Sequence, residues 1–79
     1  NRQLAVAPNP ASGSVMVEVT GQVKNGELVV CDALGRTIKR EALTGQRAIL
    51  DLNGVAAGLY YLHLKDQRRW LAGSKLVVE

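Results

Sequence analysis

The sequence is poor in the residues from which catalytic and metal sites are built. It holds one cysteine, Cys31, and one histidine, His63. A single cysteine closes no internal disulfide, and one Cys with one His makes no structural zinc cluster. Phenylalanine is absent, and Tyr60, Tyr61 and Trp70 are the only aromatic residues of the F, W and Y type, so a core must be built from aliphatic side chains. No run of about 18 apolar residues occurs, which excludes a helical membrane span. No signal-peptide pattern opens at Asn1, and the start without Met reads as a piece of a longer chain. Neither sign of charge dominates: ten Lys and Arg against seven Asp and Glu leave a scattered +3. Such a field favours solubility and attracts anionic partners only weakly, so no nucleic-acid partner is expected.

What is present is Val, Leu and Ala, in a chain that is 47% hydrophobic. Seventy-nine residues suffice for one domain. A domain of this size buries only about 60–65% of the surface its unfolded chain exposes. Each buried Val or Leu contributes roughly 1.5–3 kcal/mol against chain entropy. A foldable domain with little margin is expected, one that leans on an attached neighbour.

The apolar residues recur with a period of two. Val15, Val17 and Val19 alternate with Ser14, Met16 and Glu18, and Tyr60, Leu62 and Leu64 alternate with Tyr61, His63 and Lys65. Successive strand side chains point to opposite faces, so each run has a buried row and a wet row. Strands are predicted over residues 4–7, 14–20, 27–32, 37–43, 47–52, 59–65 and 70–78. Short strands with turn signals every 8–12 residues predict an all-β fold: a small antiparallel, immunoglobulin-like β-sandwich of about seven strands.

Three stretches mark the turns. In AVAPNPASGSVMVEV, Pro8 and Pro10 cannot donate ladder hydrogen bonds and are expected to end the first strand, with Asn9 held extended before Pro10. In CDALGRTI, Asp32 can accept from the amides ahead of it and Gly35 can take positive φ, which closes a hairpin. In LDLNGVAAGLYYLHL, Leu50 and Leu52 point inward, Asn53 and Gly54 turn the chain, Val55 plugs the end of the core and Gly58 releases the next strand. Tyr60 fits the tyrosine corner of immunoglobulin-type sandwiches, its ring in the core and its hydroxyl on backbone of the preceding loop.

The remaining chemistry is thin. Cys31 and His63 fall on neighbouring strands and one outer face, as a half-exposed thiol and a solvent-facing imidazole, but neither an orienting group nor an oxyanion site accompanies them. Asp51 and Asn53 are spaced like two calcium ligands without the rest of the loop, and read as turn residues. KDQRRWLAGSK, residues 65–75, gathers cations around Trp70, which is expected to cap the end of the core beside a solvated turn. No glycine-rich phosphate loop follows a strand and opens a helix. No enzyme activity and no cofactor or metal is expected.

Taken in order, VAPNPASGSVMVEV, VCDALGRTI, LDLNGVAAGLYYLHL and KLVVE resemble the type A C-terminal sorting domain of the type IX secretion system of Bacteroidetes, over residues 6–79. The resemblance implies a terminal segment of a cargo protein that crosses to the periplasm, is recognised by the outer-membrane translocon and ends at the cell surface or outside the cell. In many such proteins a surface sortase removes the domain and joins the cargo to an anionic lipopolysaccharide. Pro8, Asn9, Pro10, Gly13, Asp32, Gly35, Arg36, Gly58 and Tyr60 match the scaffold motifs of the family. Lys75, Leu76, Val77, Val78 and Glu79 match the segment needed for export and are expected to meet the translocon. Residues 1–5 are then a linker to upstream cargo, with sortase cleavage around or upstream of Asn1, Arg2, Gln3, Leu4 and Ala5. Cys31 departs from the family, which often has Tyr or another large residue at this outward-facing position. Leu76 and Val78 should anchor the last strand, Lys75, Val77 and Glu79 should face out, and the backbone edge of that strand should be open to strand addition. A surface adhesive or carbohydrate-binding module, using Tyr61 and Trp70, and a passive spacer are the alternative readings.

Overall fold

A computed structural model describes residues 3–67 and 69–79. Seven strands run β1 (Gln3–Ser12), β2 (Ser14–Thr20), β3 (Gly26–Cys31), β4 (Thr37–Leu43), β5 (Arg47–Asp51), β6 (Gly58–Asp66) and β7 (Arg69–Val78). No helix occurs among the described residues, and the strands form two sheets packed as a sandwich. One sheet holds β1, β2 and β5, and the other β4, β3, β6 and β7. Strands 1-2-5 against 3-6-7 is the partition of the immunoglobulin sandwich, here with the fourth strand beside the third.

The valine and leucine rows close the two layers on each other. Val15, Val17, Val19 and Leu50 from the first sheet meet Leu28, Val30, Leu62, Leu64, Leu76 and Val78 from the second. The register explains the alternation: Val6, Val17 and Ala48 stand in one row across β1, β2 and β5, and all face the core. Their neighbours Ala7, Met16 and Ile49 form the next row, on the outer face. The core is aliphatic apart from Tyr60, as the shortage of aromatic residues requires.

The first strand departs from expectation. Pro8 and Pro10 do not end it; β1 continues to Ser12 and changes sheets on the way. Residues Gln3–Ala7 pair with β2, the register then shifts, and Ala11 pairs with Val78 of β7. That contact is parallel, whereas every other strand pair is antiparallel. Extended backbone suits proline's fixed φ, and its missing N–H is tolerated where no ladder partner needs it. Both the Ala7–Pro8 and Asn9–Pro10 peptide bonds are cis. The residue between the prolines supplies the pairing that they cannot. The side-chain amide of Asn9 donates to the Lys75 carbonyl at 3.0 Å, and its Oδ1 accepts from the Val77 N–H at 3.0 Å.

Candidate functional site

The registers give the sandwich two distinct ends. The described chain enters at Gln3, which lies beside Thr20. The same end carries residues 21–25, the β4–β5 turn at Thr44–Arg47 and the β6–β7 turn beyond Asp66. An open cleft of about 620 Å³ lies there, lined by Val23, Gly26, Leu43 and Gln67 among others. At the far end lie Pro8–Gly13, the turn after Cys31, the loop after Asp51, the start of β6 and the end of β7. The four sequence segments singled out above therefore converge there, remote from the point of entry.

Each segment is fastened at that end by named hydrogen bonds. Asn9 holds the Lys75 and Val77 backbone as described, and the Glu79 N–H donates to the Ala11 carbonyl at 2.9 Å. The Gly13 carbonyl accepts from Leu52 N–H at 2.7 Å, tying the β1–β2 turn to the end of β5. The Tyr60 hydroxyl donates to the Ala56 carbonyl at 2.6 Å, so the tyrosine corner forms as predicted, with the residue only 8% exposed. Gly58 precedes it and opens β6.

Asp32 organises the β3–β4 turn. Its Oδ1 accepts from the N–H groups of Leu34 and Arg36, both at 2.9 Å, and its Oδ2 accepts from Arg36 Nε at 2.8 Å. The Gly35 N–H donates to the Asp32 carbonyl, and Gly35 sits at φ 85°, where a Cβ would be strained. The Arg36 backbone N–H leads in holding the Asp32 carboxyl below its ordinary pKa; partial burial opposes it, while the Arg36 guanidinium and the Leu34 N–H reinforce it.

The tail alternates as predicted. Leu76 and Val78 are buried, and Lys75, Val77 and Glu79 face solvent. The expectation of an open backbone edge along Lys75–Glu79 fails, because Asn9 and Ala11 cover it. Exposed apolar side chains occur at this end of the sandwich. Val77 is 39% exposed beside Leu59 at 42%, its cross-strand partner, and Leu34 at the tip of the Asp32 turn is 80% exposed. Neither Leu59 nor Leu34 was a sequence candidate. Leu59 was legible in principle: with Tyr60 inward, its neighbour must face out.

Other candidates resolve into packing. Cys31 does lie on the outer face with His63, but it is 8% exposed rather than half-exposed, since Tyr61 and Thr37 flank it across the sheet. Its Sγ lies 3.9 Å from Thr37 Oγ1. His63 packs instead against Trp70, ring centroids 4.7 Å apart, over Gly73, where a Cβ would come within 3.2 Å of the imidazole. Trp70 does not cap the core; it is 58% exposed on the outer face with the Lys65 ammonium 4.9 Å from its ring centre. Asp51 Oδ1 accepts from the Asn53 N–H at 2.9 Å, a local turn. No group of three potential metal-binding residues occurs among the described residues. Gln3, Leu4 and Ala5, expected in a linker, are strand residues, and Leu4 packs on the core. Asn1 and Arg2 lie outside the described residues.

No curated protein matches the chain. The family model for the secretion system C-terminal sorting domain matches residues 5–79, nearly the whole length. The convergence of the four segments on one end and this match lead to one conclusion: the chain belongs to the C-terminal sorting domains of the type IX secretion system.

Proposed function

We propose that this domain acts as a handle at the end of a cargo protein, gripped at the end of the sandwich far from Gln3 by the outer-membrane translocon after transit through the periplasm. A type IX sorting signal directs export to the cell surface or the extracellular space. The observation that carries the finer reading is the polarity of the fold. The chain enters at one end, while the exposed row Lys75, Val77 and Glu79, with Leu59 and Leu34, lies toward the other. Cargo on the entry side would leave that surface free. Sortase cleavage is assigned to the chain upstream of β1, around Asn1 and Arg2. Gln3–Ala5 are paired to β2 and present a strand rather than a loop.

Deleting Lys75–Glu79 does not test this reading cleanly. It removes Leu76 and Val78 from the core along with the exposed row. The cleaner experiment fuses the domain to an inert reporter in a host with and without a working translocon, and compares Val77→Asp with the parent. The parent should reach the surface only with the translocon. Val77→Asp should accumulate in the periplasm while its thermal midpoint stays close to that of the parent. Surface delivery of Val77→Asp at the parental rate would remove the exposed row from the recognition surface. Retention of the parent in both hosts would leave a spacer.

A further inference from the structure

The tail edge is covered, but the edge of the same strand closer to its start is not. Before Asn9, β1 lies in the other sheet, paired with β2 through Gln3–Ala7, and no strand pairs with the outer side of β7 at Trp70–Ser74 among the described residues. The contacts of Lys75 and Val77 with Asn9 fix which backbone groups face that side. Strand alternation brings the Gly73 N–H and C=O to it as well. Four edges are unpaired among the described residues, at β4, at β5, at the start of β7 and on the side of Gln3–Ala7 away from β2, and they are not equally protected. The β4 edge carries Lys39, Arg40 and Glu41 in succession and faces a register shift. The β5 edge is five residues long with a charge at each end. Gln3–Ala7 of β1 and Trp70–Ser74 of β7 both lack charge and proline; the second is interrupted by a bulge at Leu71, and what sets it apart is the set of cations around it.

We infer that this β7 edge receives an extended, acidic segment of a partner protein as an added strand, an inference that rests on the sorting reading for the identity of the partner. Its own chain already uses the neighbouring stretch in this way, through Asn9 and the parallel Ala11 contact. Five strand residues span about 17 Å, room for a short guest. Inward-facing side chains of the guest would cover Leu4, Val6, Leu71 and Ala72, which are now only partly buried against the core. The rim is cationic: Lys65, Arg69 and Lys75 surround the edge, with Asp66 opposite Arg69. None of these cations is in an ion pair among the described residues.

The test titrates the isotopically labelled chain with a peptide of alternating glutamate and valine, and with its lysine–valine counterpart, followed by amide NMR. The acidic peptide should give saturable shifts at Trp70–Ser74 and slow exchange of the Gly73 amide by about tenfold or more. The basic peptide should give neither. Ser74→Lys places an inward charge at the edge and should abolish the response; Arg69→Glu, on an exposed side chain, should weaken it without touching the fold. Shifts at Gln3–Ala7, Lys39–Glu41 or Arg47–Asp51 instead, or no saturable response, overturn the inference. In the export assay, Ser74→Lys delivered as well as the parent overturns it while leaving the sorting function intact. A parent that is itself retained overturns the sorting reading, and the peptide titration then decides the edge alone.

Discussion

The two ends of this sandwich are built differently from the same small repertoire. At the entry end, the turns are joined through Gln46: the Val19 N–H donates to its carbonyl at 2.8 Å and its Nε2 donates to the Gly21 carbonyl at 2.8 Å. At the far end, Asn9, Gly13, Asp32 and Tyr60 each tie a loop or strand to another backbone segment or close a turn. Side chains that satisfy backbone groups fix loop geometry, whereas plain turns vary freely. On the proposed role, a domain gripped at its far end needs that end held in a fixed shape, and these four residues supply such contacts there.

The sharpest way to break that contrast is in the core beneath each end. Leu76 is fully buried near the far end, and Leu43, 7% exposed, closes the entry end. Leu76→Ala should cost about 2–5 kcal/mol, enough to unfold much of a domain this small at moderate temperature. Leu43→Ala leaves an edge-strand site that can collapse or fill with water, and should fall at or below the bottom of that range. Chemical denaturation of the two variants side by side checks the order. Equal losses would mean that the core is uniform and that the polarity resides only in the loops.

Asn9→Ala probes the loops directly. It removes two hydrogen bonds and frees the Lys75 carbonyl and Val77 N–H to water, since both sites are exposed. The expected cost is about 1–2 kcal/mol, with faster amide exchange at Val77 and Glu79 and unchanged exchange in β3. If Val77 exchanges no faster in the variant, the prolines alone hold the crossing strand in place.

How much of this was legible in the sequence follows from what kind of force sets each feature. The valine and leucine rows declared six of the seven strands nearly to the residue, because burial with a period of two is a local signal. Tyr60 and Asp32 were legible for the same reason: each bonds to backbone only four residues away or less. Asn9 was not, since its partners Lys75 and Val77 are 66 and 68 residues distant. Pro8 and Pro10 signal a loss of donors, which suits the end of a strand and a strand that changes sheets equally well. Only the location of β7 separates the two. The covered edge of the tail was missed by the same route. Trp70 was misplaced because a bulge at Leu71 shifts the β6–β7 register, so that Lys65 rather than Asp66 stands opposite Trp70.

The weakest effect on stability, and the most specific to one end, concerns Asp32. Folding lowers its pKa, chiefly through the Arg36 backbone N–H. A carboxyl with a depressed folded-state pKa contributes stability that is fully present above its unfolded pKa of about 3.9. That contribution disappears as the pH falls through the lower, folded-state value. Asp32→Asn should therefore be less stable than the parent at neutral pH, and the gap should close as the solution is acidified below about pH 4. Arg36 is largely exposed, so added salt should remove its share of the gap and leave the share due to the two N–H donors. Thermal melts of both proteins across that pH range, at low and high salt, separate the two shares. A gap that stays constant with pH would show that ionisation of Asp32 adds nothing to the stability of this turn. The fixed geometry of the far end would then owe nothing to charge.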